Sequence, residues 1–118
     1  ILTGGGTLRS AGKHRWTPWA TFPADKEALV ALRAAEKRAP LPLLVVVSGS
    51  GDIPADAPAL HTPGQAVLIA TTAAGAGRVR AAFDGQPHVS LHVSPGEGVE
   101  FAALLRALRA DHGAQTLL

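Results

Sequence analysis

Aliphatic runs of strand length recur along this chain, separated by Ala-rich stretches with helical spacing. Residues 41–47 and 66–70 are short, nearly unbroken aliphatic runs, the form taken by strands buried on both faces of a parallel sheet. Residues 88–93 alternate instead, and the spacing predicts a half-exposed strand with Val89, Leu91 and Val93 inward. Between these runs, residues 23–38 predict a helix: Pro23 opens it, Asp25 and Glu27 lie near its positive end, and Arg33, Lys37 and Arg38 near its negative end. Its apolar stripe of Leu29, Val30 and Leu32 is narrow, so it is expected on the surface of the sheet. Residues 74–83 predict a weaker, Gly-containing helix. Residues 99–111 predict the strongest one, with Phe101, Leu104, Leu105 and Leu108 at i, i+3, i+4 and i+7. Gly113 is placed to cap it before a last strand over 113–118. Strands alternating with helices in this way define a parallel α/β sheet with right-handed crossovers.

The first residues form a strand that runs into Gly4-Gly5-Gly6-Thr7. Glycines at a strand end permit positive φ and close approach of backbone to a ligand such as a phosphate or a flat ring. The same residues also suit a plain turn. The second candidate turn is Ser48-Gly49-Ser50-Gly51, which gathers hydroxyls and free N–H groups at the C-terminal end of a strand, where open α/β sheets bind ligands. Thr71-Thr72 closes the next strand at the same edge. Residues 9–23 read as a loop because Pro18 and Pro23 disfavour helix before them. Trp16 and Trp19 in that loop either pack beneath it or stack on a ring. Residues 52–64, broken by Pro54, Pro58 and Pro63, read as a connection with His61 exposed.

The 118 residues suit a single domain, and 47% apolar with 17% charged residues suits a well-buried layered core. No run reaches the ~20 apolar residues that span a bilayer, and no signal peptide is evident, so the expected location is the cytoplasm. Zero Cys excludes disulfides and thiolate chemistry. The net charge of +2 is scattered, which argues against nucleic acid despite a pI of about 9.7. Arg9, Lys13, His14 and Arg15 are the one basic concentration, facing an anionic ligand or simply solvent. His88 and His92 share a strand face but stand about 13 Å apart, too far for one metal ion. The nucleotide-loop, zincin and hydrolase motifs are absent, as are internal repeats. The chain opens on Ile1 within an apolar run, contains no Met and closes on Leu117-Leu118, and it is expected to be a trimmed piece of a longer protein.

Taken in order, Gly4-Gly5-Gly6-Thr7-Leu8-Arg9, Val45-Val46-Val47-Ser48-Gly49-Ser50-Gly51-Asp52-Ile53-Pro54, the strand ending Thr71-Thr72, and the run from His88 through Gly113-Ala114-Gln115-Thr116-Leu117-Leu118 resemble the reductase domain of the bacterial riboflavin-biosynthesis deaminase-reductase. The resemblance implies a dihydrofolate-reductase-like fold: three layers and a mostly parallel sheet, here without its first and last elements. It implies NADPH held by Gly4, Gly5, Gly6, Thr7, Ser48, Gly49, Ser50 and Thr71, with Ser48 and Ser50 both candidates for the adenosine contact. Arg78 and Arg80 then either meet the 2′-phosphate or lie on a solvated face. The implied substrate is a phosphoribosylamino-pyrimidine whose phosphate Lys13 and Arg15 could hold, and the implied assembly is a homodimer. The family's acidic residue four positions beyond the Thr is replaced by Ala11, which leaves the exact substrate open. Its Glu-Gly-Gly motif would follow Leu118, so the piece alone is expected to be inactive. A non-catalytic nucleotide-binding module of the same fold is the alternative.

Overall fold

The computed structural model describes residues 1–118. Four strands, β1 (Leu2–Gly4), β2 (Leu44–Val47), β3 (Val67–Thr72) and β4 (Val89–Ser94), pair in the order β1-β2-β3-β4, every pair parallel. The helices are α1 (Gly5–Ser10), α2 (Lys26–Ala35), α3 (Ala73–Ala82) and α4 (Phe101–His112), with short 3₁₀ segments at Pro23–Asp25 and Pro58–His61.

The period-2 geometry of the strands divides their side chains between two layers. Leu44, Val46, Val67 and Ile69 face Leu8 of α1, Val79 of α3 and Phe83, and the connection residues Ile53, Ala59 and Leu60 fill the same side. Val45, Leu68 and Ala70 face Leu104 and Leu108 of α4 on the other side. Helices therefore cover both faces of one parallel sheet, the expected three-layer α/β arrangement. β3 is buried at all six positions because it has a strand on either side and helical cover on both faces. No helix of the chain is long and apolar enough to cross a membrane.

Several elements differ from expectation. The Gly4–Thr7 stretch is not a loop: the helix α1 starts at Gly5, directly after β1, and none of Gly4, Gly5 or Gly6 has positive φ. α2 buries no residue, and Leu32 is 56% exposed, so this helix stands outside the layers. On α4 only the line Leu104 and Leu108 reaches the sheet; Phe101 and Leu105 are 50% and 45% exposed. A short four-stranded face accommodates one row of the helix and leaves its flanking row outside. Val93 is exposed for a related reason, at the end of edge strand β4 with no strand beyond it. Gly113 caps α4 as expected, with φ 61° and its N–H donating to Leu108 O. Residues 113–118 do not form a strand, although Leu2 N–H donates to Leu118 O at 2.8 Å, which brings the chain end against the outer edge of β1.

Candidate functional site

Because all four strands run the same way, their C-terminal ends share one edge of the sheet. Gly4, the turn over residues 48–52, Thr72 and Ser94 all stand on that edge. The 48–52 turn is the centre of it. Ser48 N–H donates to Ala70 O at 3.0 Å, prolonging the β2–β3 ladder, and Gly51 N–H donates back to Ser48 O at 3.1 Å, closing the turn. Asp52 N–H then donates to Ser50 Oγ at 3.3 Å, a local bond typical of Ser in turns.

The two threonines of β3 hold this turn from beneath. Thr72 Oγ1 donates to Gly49 O at 2.7 Å and accepts from Gly75 N–H at 3.2 Å, so a single hydroxyl fixes the turn and caps α3. Thr71 Oγ1 also donates to Gly49 O, at 3.3 Å. Thr71 is completely buried, and its hydroxyl is spent on the protein. It therefore positions the turn, and the hydroxyl that the sequence reading assigned to the cofactor is already bonded to Gly49 O.

Ser48, Gly49 and Ser50 do come together with the first glycines. A Cβ on Gly5 would lie 3.4 Å from Asp52 O and 3.5 Å from Ser48 Cβ, so α1 begins against the turn. Gly4 and Gly6 are exposed with nothing within 4 Å of a would-be Cβ, and Thr7 is exposed in the same helical turn. The Gly5 distances are ordinary van der Waals contact, so Gly5 packs against the turn, but internal packing does not require glycine at Gly4, Gly5 or Gly6.

Lys13 and Arg15 do not join this edge. The carbonyl of Trp16 accepts from Gln65 Nε2 at 3.3 Å, and the same nitrogen donates to Pro42 O at 3.0 Å. Gln65 and Pro42 each lie two residues before a strand, so the loop carrying Arg15 and Trp16 is tied to the N-terminal edge of the sheet, about a strand length (~13 Å) from the 48–52 turn. Arg15 Nη1 reaches His61 O at 3.5 Å on that side, and Lys13 precedes it on an exposed stretch. Trp16 packs against the core and Trp19 lies under Lys26 Nζ, 5.2 Å from the ring centre, so both indoles have partners within the protein. The same edge pairs His88 with His61, ring centroids 6.2 Å apart, rather than with His92. Each donates Nε2–H to a backbone carbonyl, His61 to Ala55 O and His88 to Leu60 O, since a carbonyl can only accept. Clefts of about 440 Å³ beside these histidines and about 600 Å³ between Phe83 and Leu91 also lie at this end of the sheet.

Two arginines that sequence reasoning did not assign to the turn flank it. Arg9 Nη1 donates to Asp52 O at 3.0 Å and stands 3.6 Å from the Asp52 carboxylate. Arg78 Nη1 donates to Ser50 O at 3.3 Å, so of the pair Arg78 and Arg80 it is Arg78 that meets the turn. Helical spacing carried the signal: Arg9 follows Gly5 by four residues and Arg78 follows Gly75 by three, which puts each guanidinium on the face where its glycine touches the turn. The assembled edge offers exposed glycine backbone, a Ser hydroxyl and two guanidiniums, a donor-rich surface suited to phosphate oxygens. No family model matches the chain, and no curated protein matches it.

Proposed function

We propose that this protein is an NADPH-dependent reductase of the kind that acts on a phosphoribosylamino-pyrimidine in riboflavin synthesis. The observation that carries the reading is the meeting of the Gly4–Thr7 segment with the Ser48-Gly49-Ser50-Gly51 turn at the C-terminal edge of a parallel sheet, with donors on both. Gly4 and Gly6, which nothing in the protein requires to be glycine, would lie against the cofactor. Ser50, exposed at the turn, is the better placed of the two serines, because Ser48 Oγ already donates to Asp52 O at 3.4 Å. NADPH would supply the hydride that reduces the ribose C1′ and opens the sugar to a ribityl chain, with the accompanying proton drawn from solvent. The chain's own residues would bind and orient. A cytoplasmic homodimer is the corresponding assembly.

Ala11, where an acidic substrate contact is expected, favours a second reading, a nucleotide-binding module of the same fold without turnover. Titration of NADPH, followed by nicotinamide fluorescence, tests what the two readings share: saturable binding supports them, and no binding at millimolar NADPH rejects both. Consumption of NADPH with a pyrimidine ribotide by the parent-length protein, in which the Glu-Gly-Gly motif is expected after Leu118, then separates enzyme from module.

A further inference from the structure

At the N-terminal edge of the sheet, opposite the glycine turn, His61 closes the 3₁₀ segment Pro58–His61 and His88 stands just before β4. Their ring centroids lie 6.2 Å apart with the planes at 62°. Both rings are oriented by the same device: Nε2–H of His61 donates to Ala55 O at 2.6 Å, and that of His88 to Leu60 O at 2.9 Å. A neutral imidazole that donates from Nε2 has its lone pair on Nδ1, so each ring keeps one acceptor. A backbone carbonyl that holds one ring nitrogen and leaves the other bare is a common support of a metal-bound histidine.

A third acceptor belongs to the same cleft of about 440 Å³, which Gln65 lines together with both histidines. Gln65 is 2% exposed, and its Nε2 donates both hydrogens, to Trp16 O and Pro42 O. Turning the amide over would set its oxygen against two carbonyls, so the position of Oε1 is forced, and Oε1 has no partner. Two imidazole acceptors and an unmet amide oxygen suit a cation with its bound water, and not an anion. An ion held by an imidazole nitrogen lies about 3.2 Å from the ring centre, so two rings sharing one ion have centres roughly 5 to 6.4 Å apart, a range that includes the observed 6.2 Å. No third His, Asp or Glu completes the set, so such an ion keeps positions for water and exchanges readily. Arg15 opposes it, with Nη1 donating to His61 O at 3.5 Å and its positive charge beside the pair.

We propose that His61 and His88 bind one borderline divalent cation, Zn²⁺ or Ni²⁺, through their Nδ1 atoms, and that the ion clamps the 58–61 segment to the start of β4. Imidazole suits these ions, whereas Mg²⁺ prefers oxygen. The proposal does not depend on the dinucleotide reading above.

Calorimetric titration of Zn²⁺, Ni²⁺ and Mg²⁺ into the protein and its His61→Gln, His88→Gln, His92→Gln and Arg15→Gln variants tests it, together with nitrogen NMR of the imidazole rings during the Zn²⁺ titration. The expected result is saturable binding of one Zn²⁺ per chain, with Nδ1 of both His61 and His88 shifting while Nε2 stays protonated. Affinity should fall at least about tenfold in His61→Gln and in His88→Gln, stay unchanged in His92→Gln and rise a few-fold in Arg15→Gln, and Mg²⁺ should not bind. Zn²⁺ that shifts only one of the two rings, or shifts His14, His92 or His112 instead, is an adventitious surface ion and overturns the proposal. No saturation at millimolar Zn²⁺, or unchanged affinity in His61→Gln, overturns it as well. The NMR titration reads the unsubstituted protein and decides the question even where His88→Gln fails to fold. Unchanged affinity in Arg15→Gln overturns the opposing role given to Arg15.

Discussion

The backbones of Gly51 and Gly75 touch: a Cβ on Gly75 would fall 2.8 Å from Gly51 N and 2.6 Å from Gly49 O, and one on Gly51 would meet the Gly75 carbonyl. Gly51 also has φ 69°, a left-handed conformation that side chains resist. This contact lets α3 start directly against the 48–52 turn, which is how the donors of one element and Arg78 of the other come to share a surface. Gly75→Ala and Gly51→Ala are each expected to cost roughly 2–4 kcal/mol, because the obstructing atoms are backbone and cannot swing away. Urea unfolding checks this. A loss below about 0.5 kcal/mol for both would show that the two elements do not meet as described.

Gly6 presents the opposite case. It lies in α1 with open space where a Cβ would go, so Gly6→Ala is expected to raise stability by roughly 0.5–1 kcal/mol through the better helix propensity of Ala. If the cofactor lies against this backbone, the same variant binds NADPH more weakly. A melting temperature and a titration on one sample read both effects, and a stabilised variant with unchanged NADPH affinity would place the cofactor elsewhere.

Thr72 serves two elements with one hydroxyl. Thr72→Val keeps the shape but removes the bond to Gly49 O and the cap on Gly75 N–H, for an expected loss of about 1–2 kcal/mol. Thr72→Ser should recover most of it. Hydrogen exchange at the amides of residues 73–76 is the sensitive measure, since the start of α3 should open first.

Truncations along α4 should separate sharply. Leu104→Ala and Leu108→Ala are expected to cost about 2–5 kcal/mol each, and Leu105→Ala less than about 1 kcal/mol, in line with side chains exposed 0%, 2% and 45%. Comparable losses at all three positions in equilibrium unfolding would mean that the exposed row is covered in solution.

The sequence by itself determined the order of β1 to β4 with α2, α3 and α4, their parallel arrangement, the cap at Gly113 and the location of the Ser48-Gly49-Ser50-Gly51 turn at a strand end, but not the helix α1 at Gly5–Ser10, and the strand expected over 113–118 does not form. Those features are local: aliphatic runs, helical spacing and glycine chemistry act over a few residues. Tertiary structure alone decided which half of a helical stripe is buried, since Leu104 and Leu105 are equivalent until a sheet of particular width lies beneath them. It also decided that Thr71 is consumed inside the protein, that Lys13 and Arg15 stand at the opposite edge from the glycines, and that Arg9 and Arg78 converge on Asp52 and Ser50. These depend on contacts between residues that are distant along the chain, such as Gly51 with Gly75 and Gln65 with Trp16. No short-range pattern encodes such distances; they follow only when the sheet has brought its strand ends to one edge.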